Sequence, residues 1–504
     1  MNKRWLLTFT LGGGVILASY GQGFTDAGFE SYRKKQKNPY WWQIVDARNG
    51  TALSDFKVKH SGVRSLCVNV AGDSARIRHL STFLTEPGIR WKISIWAKGT
   101  GDFQFVIPQG GVFPHNAKIT KLKEVFSPQF KLSDEWKKYL YLYTGTDRTL
   151  HNFNVHIQIN GKGSCAWFDD AHYEQDSVPG TELRAHPLNC AAKPGEKIRH
   201  KVIASGNVKD IVVDLQGLPG VKKVSALPPD KYITFTAPQK PGVYIGAIRD
   251  TENGQGQKFF INVLSTKEYS ALEKAAAGVK NPGQVLVLGD SLTDYLRGRN
   301  WVDLCENFIA GKYGEKVRFF NYAIGGDMVP RTLARFRKVG KTYAFSRYKG
   351  IWECKPDVVM IFLGQNDSLL LNRQLGAKSP TRVPPAEFIA GYTDLIKEIR
   401  KTYGHPRIIL ITPVYMDYAK TWKLVFHDKN LVYGEPSIME TYRQLVYQIA
   451  KENQCEIIDV FERIKKQDKP ANFSLPDGVH INLKGNWLVG EAVLKHFSGA
   501  DHGN

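Results

Sequence analysis

A serine, an asparagine and an aspartate–histidine pair stand in three separate blocks of this chain, each near glycine and close to an apolar run. Val285-Leu286-Val287-Leu288 reads as a buried parallel strand and runs into Gly289-Asp290-Ser291-Leu292. Chemistry in open α/β sheets sits at the carboxyl ends of the strands, so Ser291 is a candidate nucleophile. Alone, Gly-Asp-Ser reads equally as a helix cap. Three later blocks decide between these readings. Phe319–Asp327 is an aromatic, strand-prone run ending in Gly325-Gly326, where glycine lets the backbone approach a ligand and aim an N–H at it. Val358–Leu363 ends in Gly364-Gln365-Asn366-Asp367, and Asp477-Gly478-Val479-His480 precedes Asn482, Gly485 and an apolar C-terminal helix.

Together these residues supply acyl-transfer chemistry. A neutral hydroxyl is a poor nucleophile and needs a base, which His480 can be. The imidazole needs a third group to hold its tautomer and stabilise its cation; Asp477 is three residues away. A tetrahedral intermediate needs donors on its oxyanion, and the N–H groups of Ser291 and Gly326 with the Asn366 amide provide three. A G-x-S-x-G elbow is missing and Asp477 shares one loop with His480, which disfavours the α/β-hydrolase arrangement.

On Gly289-Asp290-Ser291, Gly326 within Asn321–Asp327, Gly364-Gln365-Asn366-Asp367 and Asp477-Gly478-Val479-His480, the chain resembles the SGNH/GDSL hydrolases over about residues 280–500. The resemblance implies a flavodoxin-like α/β/α fold and serine hydrolysis of esters, with no cofactor or metal for catalysis. It assigns Ser291 as nucleophile, His480 as base, Asp477 as orienter, and Ser291, Gly326 and Asn366 as the oxyanion hole. Gln365 departs from the small residue usual in the family and is expected at the pocket rim.

The elements that position these blocks follow from pattern. Arg407–Ile411 and Glu456–Val460 read as later strands, and Glu387–Thr402 and Ile438–Asn453 as helices, so strands and helices alternate as in a doubly wound parallel sheet. Upstream, strand-like runs at Leu66–Val70, Trp91–Ala97, Phe103–Ile107, Lys138–Tyr143, Asn154–Ile159 and Ala166–Tyr173, separated by turn residues, predict a β-sandwich. Ala27-Gly28-Phe29-Glu30, His60–Leu66, Ser94–Gly99 and Trp167-Phe168-Asp169-Asp170 resemble jelly-roll carbohydrate-binding modules. That resemblance implies a glycan platform, for which Tyr40, Trp41 and Trp42 are candidates, and a rim calcium, for which Glu30 and Asp169 are candidates. The alternative is that these aromatics close one end of the sandwich core. Turns at Pro194-Gly195-Glu196, Gly217–Gly220 and Pro241–Tyr244 predict a smaller Ig-like sandwich. The expected division is a signal peptide at 1–21, the jelly roll at 22–178, the Ig-like sandwich at 179–265, a helical connector at 266–280 and the hydrolase at 281–504.

Several function classes are excluded or constrained by composition. The 504 residues, 42% hydrophobic, are ample for several globular domains. Asn2-Lys3-Arg4, the apolar Trp5–Ala18 broken by Gly12-Gly13-Gly14, and Ser19-Tyr20-Gly21 read as a signal peptide cut before Gln22. The mature chain is then secreted, periplasmic or at the cell surface, with no transmembrane segment. Six scattered cysteines have no C-x-x-C spacing, so no zinc site is indicated, and both disulfides and buried thiols fit. The net charge of +21 points to an anionic polymer or surface; no nucleic-acid motif accompanies it. Between Val329 and Gly350 stand Arg331, Arg335, Arg337, Lys338, Lys341, Arg347 and Lys349 with no acidic residue. This segment follows the Gly326 loop, so Arg331 and Arg335 are candidate binders of an anionic substrate. Tyr415 and Trp422, in an insertion after Ile411-Thr412-Pro413, are candidates for a lid or a sugar-stacking wall, with packing onto the neighbouring β domain as the equal alternative. The expected function is carbohydrate acetylesterase, acting in polysaccharide degradation. The alternatives are a lipase or thioesterase, and a glycan-binding surface protein with a vestigial hydrolase domain.

Overall fold

A computed structural model describes residues 42–79, 83–85, 90–110, 121–144, 151–153, 155–175, 182–205, 211–216, 232–250, 256–339, 344–348, 350–371, 381–416 and 432–499, with isolated positions at 29, 39, 208, 342, 418 and 421. Residues 1–21, expected to be a signal peptide, and Glu30, Tyr40, Trp41 and Trp422 lie outside the described residues. The chain divides into two compact units, one of residues 1–183 with 205–212 and 249–257, the other of 184–204, 213–248 and 258–504.

The first unit is antiparallel β-structure. Strands Lys137–Thr144, Arg90–Gly99, Cys165–Gln175, Ser65–Val70 and Gly50–Asp55 form one sheet in that order. A second sheet runs Trp42–Ile44, Ser74–His79, His156–Asn160, Asp102–Gly110, His151–Phe153 and Phe83–Thr85. Alternating side chains from both, such as Ile93, Ile95, Phe103, Phe105, Ile157 and Phe168, fill one core. Trp42 belongs to that core. It is 1% exposed, with its ring centroid 4.9 Å from those of Phe29 and His79. Burying so large an apolar surface is favourable, so Trp42 closes the sandwich and is not available as a glycan platform. Asp169 is also buried, and its Oδ2 accepts from the backbone N–H groups of His60 and Ser61 at 2.9 and 3.0 Å. Burial pushes its carboxyl up to about 6. Cys67 and Cys165 approach to 3.8 Å between sulfurs as free thiols.

The second unit carries the predicted parallel sheet. Ser265 and Glu268 form a capping box that starts α1 (Thr266–Ala277). Strands β1 (Gln284–Gly289), β2 (Arg318–Asn321), β3 (Val358–Phe362), β4 (Arg407–Ile411) and β5 (Glu456–Ile458) pair in parallel in the order 2-1-3-4-5. Helices α2 (Ser291–Asp294), α3 (Trp301–Tyr313), α4 (Val329–Phe336), α5 (Pro385–Tyr403), α6 (Pro436–Glu452), α7 (Val460–Lys465) and α8 (Leu483–Ser498) complete the unit. Successive residues of β1 face opposite layers. Val285 and Val287 pack with Trp301 and Val489, while Leu286 and Leu288 pack with Phe388 and Val446. Burial on both faces is why the strand reads as an unbroken apolar run. Among the described residues no helix is long and apolar enough to cross a membrane.

A smaller pair of sheets precedes the parallel one, built from strands between Glu182 and Val263. Asn189 of this segment donates to Asp303 Oδ1 at 2.8 Å and accepts from Phe260 N at 2.9 Å. Its carbonyl accepts from Asn307 at 2.8 Å, and Asn262 donates to Gly298 O at 2.8 Å.

Candidate active site

The sheet order reverses between β1 and β3, the switch point at which open α/β sheets hold ligands. Gly289 ends β1 there because a Cβ would lie 2.8 Å from Thr293 Oγ1 and 3.1 Å from Phe362 O. Asp290 caps α2 by accepting from Leu292 N at 2.9 Å. Ser291 is thereby the first residue of α2, 6% exposed, with an N–H that has no acceptor within the helix.

His480 Nε2 lies 2.9 Å from Ser291 Oγ, and Nδ1 lies 2.6 Å from Asp477 Oδ2. Asp477 Oδ1 accepts the N–H groups of Val479 and His480 at 2.9 and 3.0 Å, so one carboxylate shapes the turn and orients the ring. Burial raises the Asp477 carboxyl, but His480 and these N–H groups outweigh it and hold it below its ordinary value. With Asp477 ionised, the proton belongs on Nδ1 and Nε2 accepts from Ser291. The Tyr295 ring stands 4.5 Å from the imidazole, tilted by 30°.

Gly326 has φ +76°, which favours glycine for its backbone rather than for space. The loop before it is clamped by ions. Asp294, 1% exposed, accepts from Gly325 N at 2.7 Å and from both ends of the Arg347 fork at 2.7 and 2.8 Å. Arg297 joins Asp294 at 2.9 Å and donates to Asn321 O and Ala323 O at 2.8 and 2.9 Å. Burial opposes ionisation of Asp294, yet Arg347 and Arg297 hold its carboxyl far below the usual range. Asn366, 5% exposed, directs Nδ2 at Asp327 O and Asp290 Oδ2, 3.0 and 3.2 Å away.

Three of the described cations in the basic segment after Gly326 are compensated by acids outside it. Arg335 is fully buried and paired with Asp327, which also accepts from Thr332 at 2.7 Å, so it is a core ion pair and not a substrate binder. Arg347 is held by Asp294, and Arg337 pairs with Asp394 and Glu398 at 2.9 and 3.1 Å. Lys338 lies over Trp352, and Lys341 and Lys349 lie outside the described residues. Arg331 does reach the site, donating to Gly326 O at 3.2 Å. Gln365 is 2% exposed and accepts from Val414 N at 3.0 Å; its amide ties β3 to β4 instead of reaching a pocket rim. Tyr415 packs edge-on to Phe461 and lines a small cavity with Phe473, Gly478 and Val479, behind the histidine loop.

Buried carboxyls set a pH signature. Burial pushes Asp290 up to about 8, Glu306 and Asp367 to about 7 and Asp303 to about 6. Unfolded, these groups titrate near ~4, so the native chain binds their protons more tightly and stability falls as pH rises from about 4 to about 8. Buried His200 has the opposite effect: burial holds it down to about 4, and stability falls as pH drops below about 6.5. With these four raised carboxyls against the lowered His200, urea midpoints should therefore be highest near pH ~4 and fall toward pH ~9. A midpoint that rises steadily from pH 6 to 9 would contradict protonated carboxyls in the native site.

Residues 287–488 match the GDSL-like Lipase/Acylhydrolase family. This stretch is a GDSL-like lipase/acylhydrolase domain. An isoamyl acetate-hydrolyzing esterase 1 homolog of Bos taurus is 27% identical over 142 residues, 28% of this chain and 55% of that protein. The chain thus spans about half the length of this relative. A GDSL esterase/lipase of Arabidopsis thaliana is 22% identical over 224 residues, 42% of this chain and 85% of the relative. Among solved structures, a lipase/acylhydrolase from Enterococcus faecalis has 22% identity and a TM-score of 0.33, covering 43% of this chain and 96% of its own. The GDSL-like domain brings Ser291, Asp477 and His480 into one hydrogen-bonded line, with Asn366 joined to Asp290 beside the serine. Sequence reasoning missed Tyr433, whose hydroxyl donates to Asn366 Oδ1 at 2.8 Å, and the Asp294 clamp. A signal for the clamp was present in Asp294 itself, an acid in the first turn after the serine.

Proposed function

We propose that the protein is an exported serine esterase that removes short acyl groups, acetyl foremost, from a polysaccharide or glycan. The observation that carries the reading is the line Asp477–His480–Ser291, at 2.6 and 2.9 Å. Ser291 Oγ attacks the ester carbonyl as Nε2 takes its proton. The oxyanion is received by the N–H groups of Ser291 and Gly326 and by Asn366. His480 returns the proton to the leaving sugar hydroxyl, and the acyl-enzyme is hydrolysed by water that His480 deprotonates in turn. Each step is served by side chains and backbone of this chain. The β-rich N-terminal unit and the strong positive charge support a polymeric, and an anionic, substrate.

Purified full-length chain, wild type and Ser291→Ala, is incubated with acetylated neutral and acidic polysaccharides and with p-nitrophenyl esters of increasing acyl length. Acetate release from polymers by wild type alone supports the reading, and stronger release from acidic polymers supports the anionic substrate. Preference for long acyl chains would replace it with a lipase. Polymer binding with no turnover of any ester would replace it with a vestigial hydrolase.

A further inference from the structure

We propose that Tyr433 is a positioning residue for ester hydrolysis: its hydroxyl fixes the Asn366 amide with the nitrogen end toward the oxyanion. This rests on the reading of Asn366 as an oxyanion donor. The two ends of an amide are nearly equal in size and opposite in hydrogen-bonding sense. Turned over, Asn366 would present an acceptor to a developing negative charge, which repels it. Something must distinguish the two ends.

Three contacts do so. Tyr433 Oη donates to Oδ1 at 2.8 Å, and Nδ2 faces Asp327 O at 3.0 Å and Asp290 Oδ2 at 3.2 Å. Asp290 immediately precedes Ser291 and Asp327 immediately follows Gly326. The amide nitrogen is therefore held between the neighbours of both other donors, and the N–H on the longer contact, to Asp290 Oδ2, is the one that must turn to the oxyanion. Burial pushes the Tyr433 hydroxyl up to about 12, so it keeps its proton and remains a donor.

Tyr433 is itself held. It is 9% exposed within the core on the α8 side of the sheet. Val432 and Leu370 exchange two backbone hydrogen bonds at 3.0 Å, and Thr421 Oγ1 donates to Tyr433 O at 2.8 Å. The Leu370 bridge fixes Tyr433 relative to Asn366, four residues before it. A hydroxyl on so fixed a frame can orient an amide without following its motions.

The test is a double-mutant cycle on p-nitrophenyl acetate with Tyr433→Phe, Asn366→Ala and the pair. Tyr433→Phe keeps the ring and its packing. Its kcat should fall about 10-fold or more while KM stays within about twofold, because the interaction matters in the transition state. In the Asn366→Ala background the same change should have no further effect on kcat. A lower thermal midpoint with unchanged kcat would overturn the inference, since packing alone predicts that. So would equal losses in both backgrounds. If Asn366→Ala itself keeps wild-type kcat, the oxyanion reading of Asn366 fails and this inference with it. If Asn366→Ala is impaired and Tyr433→Phe is not, only this inference fails.

Discussion

Ser291→Ala is expected to lower ester turnover by about 10⁶-fold and to leave the fold intact. The size follows from how triads behave: removing the nucleophile or the base disables the whole unit, and losses of about 10⁶ in kcat are typical. Nothing in the environment of Ser291 demands its hydroxyl for stability. The Oγ contact is to His480 Nε2, itself 20% exposed, and the capping of α2 is done by Asp290. The thermal midpoint should move by less than about 2 °C, as small changes outside the core do. Asp477→Ala is expected to cost less in kcat, about 10⁴-fold, since an orienting carboxylate contributes less than nucleophile or base. Adding Asp477→Ala to Ser291→Ala should then change almost nothing. Steady-state turnover of p-nitrophenyl acetate measures all three. Independent, multiplying losses would mean that the three side chains do not act as one unit.

Asp294→Asn is expected to damage both stability and rate. Asp294 is the shared anion of Arg297 and Arg347, with side chains 6% and 20% exposed. Removing one member of a buried ion cluster costs about 3–5 kcal/mol, because the remaining charges stay buried without compensation. The two guanidiniums also tether Asn321 O and Ala323 O, and Asp294 holds Gly325 N, so the Gly325-Gly326 loop loses its anchor. A displacement of about 1 Å at a reacting centre can cost about 10²-fold in rate. Among molecules that remain folded, kcat should therefore fall about 10²-fold. The double variant Asp294→Asn/Arg347→Met should regain part of the stability and none of the rate. Denaturation midpoints and kcat per folded molecule separate the effects. A midpoint loss with unchanged kcat would remove the loop from the argument.

The catalytic constellation was legible because each block is local: an apolar strand, a glycine and the polar residue that follows. The same locality made Asp477 and His480 a readable pair. The sandwich strands were legible by alternation, and β4 matched its predicted bounds, Arg407–Ile411. The interactions that hold the site were less so. Arg347 and Asp294 are 53 residues apart, and Tyr433 and Asn366 67 apart. No periodicity links such pairs; the 2-1-3-4-5 crossing of the sheet does. Counting charges along Val329–Gly350 suggested unpaired cations because the balancing acids, Asp294, Asp327, Asp394 and Glu398, lie before and after that stretch. For Trp42 the alternative reading holds, that it closes the core, and the sequence could not choose because a side chain has no direction until strand pairing gives it one.

The amide contacts of Asn189 and Asn262 bear on whether the parallel-sheet region can be cut free of the strands before it. Asn189 reaches Asp303 and Asn307 on α3, and Asn262 reaches Gly298 just before it. At Gly298 a single added carbon would sit 1.9 Å from the Phe260 ring. A fragment beginning at β1 would leave Asn189's partners on α3 unsatisfied and strip the apolar cover from Gly298. The small pair of sheets and the helix α3 region are thus joined by complementary surfaces rather than by a tether alone.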